Sequence, residues 1–172
     1  MLRSTSPSER ALTAQELNAY AMSHLRTWIG GTRRRPEAWD EPRNWFPLGI
    51  PDLHDKVIIG GYGRHRCLVG AEADAVMSIH VLPGARLAIP AERVLTVDGL
   101  FADPFGVVCD SGLYNEGTVE VDGTLVLRNV TAGGIRNEGL LCNRGRITTC
   151  EKVTRCARAW GRFLDSGDRE YA

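Results

Sequence analysis

Long apolar runs are missing from this chain of 172 residues. No stretch approaches the roughly 20 apolar residues that a membrane-spanning helix needs, and the opening MLRSTSPSERALTAQE lacks the apolar centre of a secretory leader. The expectation is a soluble protein, made and kept in the cytosol or assembled there into something larger. Net charge is missing as well, since 21 basic and 21 acidic residues cancel, which argues against a general polyanion binder. Lysine is scarce: all the basic residues except Lys56 and Lys152 are arginine, the cation that makes forked contacts to carboxylates and suits interfaces. The five cysteines, Cys67, Cys109, Cys142, Cys150 and Cys156, contain no C-x-x-C pair. They read as buried apolar thiols, with an intermolecular disulfide as the alternative. No G-x-S-x-G, Walker loop or dinucleotide fingerprint occurs, and His54, His65 and His80 lack metal-ligand spacing. Catalytic, cofactor-binding and metal-ligating residues are therefore assigned to none, and the protein is read as not an enzyme.

What the chain does have is a repeat. GLYNEGTVEVDGTLVL begins at Gly112 and GIRNEGLLCNRGRITT begins 22 residues later at Gly134. Asn115, Gly117 and Gly123 recur as Asn137, Gly139 and Gly145, while Leu113, Val119 and Leu125 recur as Ile135, Leu141 and Ile147. A fixed period of this size marks a repeat architecture. Each copy holds short apolar-alternating runs separated by Asn-x-Gly and Asp-Gly turns, the pattern of strands. A unit this small buries its apolar side only against the next copy, so the fold expected is mainly β, a short single-stranded parallel β-solenoid over residues 57–150. Asn115 should lie over Asn137 with the amides bonded, the glycines should occupy corners of positive φ, and Asp122 should lie over Arg144. Glu116 over Glu138 is unfavourable unless both face water or a cation.

Upstream, LTVDGL at Leu95 resembles VEVDGT at Val119 with a displacement of 24 residues, which predicts a preceding rung and about four rungs in all. At ~4.8 Å per strand the coil would be about 19 Å tall. That alignment also places Asp98, Asp122 and Arg144 in one column. Thr13 and Glu16 form a capping box, and Leu17, Tyr20, Ala21, His24, Leu25 and Trp28 follow at helical spacing, predicting an amphipathic capping helix within an N-terminal region of residues 1–31. Residues 32–56 form an extended arm rich in proline, tryptophan and arginine, which proline keeps out of regular helix. Tryptophan and arginine dominate binding hot spots, so Arg33, Arg34, Arg35, Trp39, Trp45 and Phe46 are the candidate partner-binding residues; the alternative is that the arm packs along its own coil. Glu37, Asp40 and Glu41 beside the arginines argue against nucleic acid. In residues 151–172, Val153, Cys156, Ala157, Trp160, Phe163 and Leu164 fall on one helical face, predicting a C-terminal helix to about Asp165. A final outer strand containing AWGRFL is the rival assignment.

The N-x-G turns followed by alternating runs and glycine resemble the right-handed β-helices of phage tail spikes, adhesins and virion surface proteins, and PGARLAI at Pro83 resembles the rungs of bactofilins. The first resemblance implies a homo-oligomeric, possibly trimeric, structural protein: a capsid decoration or cement protein of a bacterial virus, found on the virion surface and anchored by its arms on a neighbouring capsid subunit. Deleting residues 1–52 is then expected to leave a soluble β protein that no longer joins its assembly. The alternatives implied are a carbohydrate-binding or carbohydrate-cleaving β-helix working through Asp98 and Asp122, and a bactofilin-like cytoskeletal scaffold. No membrane partner is expected.

Overall fold

Runs of two to five residues between glycine corners are too short to fold back on their sequence neighbours, and in the computed structural model each finds its partner one repeat away. The structure describes residues 24–61, 66–70, 75–99, 112–130, 134–150, 162–165 and 168–171. It is mainly β, with strands in three parallel sheets. The first contains β1 (Leu25–Trp28), β3 (Lys56–Ile59), β6 (Ser78–Val81), β9 (Gly112–Asn115) and β12 (Ile135–Asn137), with β2 (Trp45–Phe46) antiparallel on the outer edge of β1. The second contains β4 (Cys67–Leu68), β7 (Arg86–Ile89), β10 (Thr118–Val121), β13 (Leu140–Asn143) and β15 (Arg162–Asp165). The third contains β5 (Ala75–Val76), β8 (Val94–Asp98), β11 (Thr124–Arg128), β14 (Arg146–Cys150) and β16 (Asp168–Tyr171). From β3 to β14 consecutive strands visit the three sheets in turn, and each from β3 to β11 pairs with the strand three places on. Parallel pairing is thus not confined to residues 57–150.

The register makes the core. Alternation sends every second side chain inward, and the inward positions stack in columns: Val57, Ile79, Leu113 and Ile135 in the first sheet, Leu87, Val119 and Leu141 in the second, Leu95, Leu125 and Ile147 in the third. All are buried except Ile135, which packs against that core. Asn115 stands opposite Asn137 as the period requires; both are fully buried, and Asn115 Nδ2 donates to Asn137 Oδ1 at 2.7 Å and to the Leu140 carbonyl at 3.0 Å. Asn115 Oδ1 in turn accepts from the Gly117 amide at 3.1 Å, which closes the corner.

Three expectations need correction. The repeat glycines are not at positive φ; among them only the strand-opening Gly112 and Gly134 are. Gly117, Gly123, Gly139 and Gly145 are required because the corners lie directly on one another: a Cβ at Gly139 would collide with the Gly117 carbonyl oxygen, and one at Gly145 with that of Gly123. Those same carbonyls accept from Leu140 N and Arg146 N at 2.8 Å. The second correction concerns the capping helix. Residues 13–23 lie outside the described residues, but Leu25–Trp28 is a strand, because β1 is bonded to β3 on one side and β2 on the other. Backbone pairing on two edges overrides an apolar spacing that suits a helix and that in a strand sends Leu25 and Trp28 to opposite faces. The third is the C-terminal helix, of which residues 151–161 lie outside the described residues. Arg162–Asp165 is a strand, aligned on the edge of β13 with Phe163 opposite Leu141, so the outer-strand assignment holds for those four residues.

The corner contacts predict a sharp contrast. Gly145→Ala or Gly139→Ala should cost about 1–3 kcal/mol, the usual range for forcing extra atoms into a packed site. That lowers the unfolding midpoint by about 2–4 °C per kcal/mol in a chain of this size. Gly31→Ala, where an added Cβ meets nothing, should leave the midpoint unchanged in the same thermal scans.

Candidate functional site

The arm of residues 32–56 divides into a buried half and an exposed half. Trp39 and Trp45 are fully buried, which corrects their assignment to partner contact: they join Trp28 in the protein's own core. Trp45 meets Trp28 at 5.1 Å and Trp39 at 4.8 Å between ring centroids, both edge to face, a geometry worth about 0.5–1.5 kcal/mol per pair beyond burial. Trp45 Nε1 donates to the Trp39 carbonyl at 2.7 Å. Trp39 is tied by its amide to the Leu68 carbonyl at 2.9 Å, and Ala38 bridges Leu68 in parallel, so the arm extends the second sheet beyond β4. Arg66 links Glu37, at 3.6 Å, to Glu120, at 3.8 Å, adding a charged tie between arm and sheet.

Asn44, fully buried, clamps the arm. Its Oδ1 accepts from Thr32 N at 3.2 Å and Thr32 Oγ1 at 3.1 Å, while Nδ2 donates to the carbonyls of Arg35 at 2.8 Å and Ala38 at 2.9 Å. The clamp ties the loop that carries Arg33, Arg34 and Arg35 to the segment that carries Arg43 and Phe46. Arg35 is engaged by Asp40 at 2.6 Å, and that carboxylate holds its guanidinium pKa up. Arg33, Arg34 and Arg43 are exposed and pair with no described carboxylate. Phe46 is 67% exposed and Leu48 70%, with Ile29, Ile50 and Leu53 also exposed. Of the six exposed large hydrophobic residues among those described, only Val94 lies elsewhere. Hot-spot composition singled out Phe46 and the arginines in the sequence and passed over Leu48, Ile50 and Leu53, which are neither aromatic nor charged.

A second constellation lies on the outer side of the first sheet. His80, Tyr114 and Arg136 occupy one register column; the His80 ring stacks on Tyr114 at 4.5 Å and the Arg136 guanidinium sits over its other side at 4.7 Å. Glu116 lies 2.6 Å from His80 Nε2, and Glu138 accepts from Arg136 Nε at 2.9 Å and Tyr114 Oη at 3.2 Å. The unfavourable Glu116–Glu138 juxtaposition is thus answered by a basic partner for each. His80 contact, helped by Tyr114 and Arg136, holds the Glu116 carboxyl below its usual range, and burial followed by the neighbouring carboxylates pushes the Tyr114 phenol up. With both sides of Tyr114 covered, the column offers no open aromatic platform.

Asp98 and Asp122 do not share a column. Asp98 aligns with Arg128, because β8 registers on β11 and not on β10; the 24-residue displacement read from the sequence is in fact 30 residues at Leu95 and Leu125. Asp98 accepts from Asn129 Nδ2 at 2.8 Å. Asp122 does lie against Arg144, accepting from its Nε at 2.6 Å, and the guanidinium lowers the carboxyl's pKa. His54 neighbours His24 at 6.0 Å between ring centroids, and His65 lies outside the described residues. The buried Cys67 has its thiol pKa pushed well up by desolvation, which keeps it unreactive. No described helix is long and apolar enough to cross a membrane. Comparison with protein-family models, with curated proteins and with solved structures finds no match.

Two carboxylates with lowered pKa values set an acid dependence. Their contribution to stability is complete above the usual carboxylate range and is lost as pH falls through the lowered folded values. Unfolding midpoints measured from pH 7 down to pH 3 should therefore fall, and Asp122→Asn combined with Glu116→Gln should flatten the acid limb while lowering stability slightly at pH 7.

Proposed function

We propose that the three parallel sheets are the sides of one short β-solenoid of about five turns, and that the protein is a structural, non-enzymatic assembly element. The reading rests on one observation above others: five of the six exposed large hydrophobic side chains among the described residues fall within residues 29–53, the segment that covers β1 and β4. Monomeric soluble proteins rarely leave such a cluster uncovered, and it commonly marks an interaction site. Arginine at its edge fits the composition of contact surfaces. In this reading the coil is a rigid post, Trp28, Trp39 and Trp45 seal its first turn, and Phe46, Leu48, Arg33 and Arg34 grip the neighbour.

The specific form proposed is a decoration or cement protein on the capsid of a bacterial virus, with a protein partner and no cofactor. A bactofilin-like filament fits less well, because a sealed first turn removes one of the two sheet ends that end-to-end stacking needs. A carbohydrate enzyme loses its motive with the separation of Asp98 from the Asp122 column. Coexpression with the major capsid protein of the virus proposed to carry this chain tests the proposal: the protein should sediment with particles, and Phe46→Glu with Leu48→Glu should leave it in the supernatant, still folded. Sedimentation unaffected by the double substitution would remove the arm from the mechanism.

The covering role also revises the deletion experiment. Removing residues 1–52 takes away β1, β2 and the buried Trp28, Trp39 and Trp45, exposing the Val57 and Ile59 end of the core. The truncated chain should aggregate or lose cooperative unfolding, as measured by light scattering and thermal scans, instead of remaining a soluble β protein.

A further inference from the structure

Resting on the reading of the arm as a contact surface, we propose that before assembly this surface is covered by a second copy of this chain, joined sealed end to sealed end about a two-fold axis and displaced when the neighbour takes its place. A two-fold contact brings one patch onto itself, so each patch must carry its own complement. This one does. Phe46 and Leu48 stand out from it while Ile29, Ile50 and Leu53 are about 40% exposed, giving protruding and recessed apolar groups on one surface. Its edge bears both signs of charge: Arg33, Arg34 and Arg43 against Glu41 and Asp52, none of them engaged in a described ion pair.

The geometry is fixed before contact. Glu41 caps the 3-10 turn Pro42–Asn44 by accepting from Arg43 N at 3.3 Å, and Asp52 accepts from His54 N at 2.9 Å. Arg26 bonds the Pro47 carbonyl at 3.4 Å and the buried Asp55 at 3.1 Å, anchoring the loop that carries Phe46 and Leu48. A patch held this way loses little side-chain and loop freedom on association. A partner surface of one charge, such as an anionic membrane, would meet Glu41 and Asp52 unfavourably.

Sedimentation velocity on the full-length protein over a wide concentration range, with vesicle co-sedimentation on phosphatidylserine liposomes as a parallel arm, tests this. The wild type should sediment at twice the protomer mass and ignore the liposomes. Leu48→Glu or Phe46→Glu should weaken the dimer by at least about thirtyfold, as expected for a central contact residue, with unchanged circular dichroism, because both side chains are exposed, and with an unfolding midpoint that loses the concentration dependence the wild-type dimer shows. Val94→Glu, on the third sheet, should leave the dimer intact. A monomer at every concentration, a species of three protomer masses, liposome binding abolished by Leu48→Glu, or a dimer indifferent to Leu48→Glu would each overturn the proposal. The particle assay keeps the two readings apart: a monomeric wild type whose Phe46 and Leu48 variant still loses particle attachment sinks self-association alone, whereas attachment indifferent to that variant sinks the docking reading itself.

Discussion

The close stacking of one corner on the next governs this structure. At each repeat a corner carbonyl receives amides from the corner above: the Asn115 carbonyl accepts from Glu138 and Gly139 at 2.7 and 2.9 Å, and that of Val121 accepts from Arg144 and Gly145 at 2.8 and 2.9 Å. Corners can approach this closely only where the chain has no Cβ. Once they do, the strands between them are held at sheet spacing, the inward side chains fall into columns, and the outward ones form the His80–Tyr114–Arg136 and Asp122–Arg144 ladders. Buried corner amides would cost about 1–3 kcal/mol each if left without partners, so slipping the register by one residue loses corner bonds and core columns together.

The second constraint is the end of the stack. A first strand with an open edge would template pairing with other chains. Here β1 is covered by β2, β4 is extended by Ala38, and the apolar interior is closed by Trp28, Trp39 and Trp45. The arm therefore closes the fold while leaving part of itself exposed, and the division is visible residue by residue: alternation along Trp45–Phe46 puts the indole inside and the phenyl ring outside. Asn44 ties the arm together, because its four hydrogen bonds join Thr32, Arg35 and Ala38 while Arg33 and Arg34 between them stay exposed.

The repeat between residues 112 and 149 was readable in the sequence, down to the Asn115–Asn137 amide bond and the Asp122–Arg144 pair, because both depend on a constant 22-residue offset that needs no knowledge of the rest of the chain. The earlier rung was misaligned, since LTVD and VEVD are alike in pattern while the register is fixed by the core columns and by the longer connection from β8 to β9. The N-terminal strand was hidden because Leu25 and Trp28 sit at helical spacing, and only the partners β2 and β3 make the segment a strand. Burial of Trp39 and Trp45 was equally invisible: composition marks residues suited to interfaces, and the covered edge of β1 and β4 is itself an internal interface. The His80 column went unseen because its members come from three separate strands, and only the register brings them together.

Stacking in register is the claim on which the assembly reading depends, and Cys142 provides a direct probe of it. Glu120 is its Cα partner across β10 and β13, and neighbouring strands put Cα atoms within the roughly 4–7 Å that a disulfide spans. Glu120→Cys, oxidised or treated with a short thiol-bridging reagent and digested for mass spectrometry, should yield an intramolecular link between position 120 and Cys142 in the folded protein. A folded protein that gives no such link, or links position 120 to a different cysteine instead, would contradict the register and the stacked architecture with it.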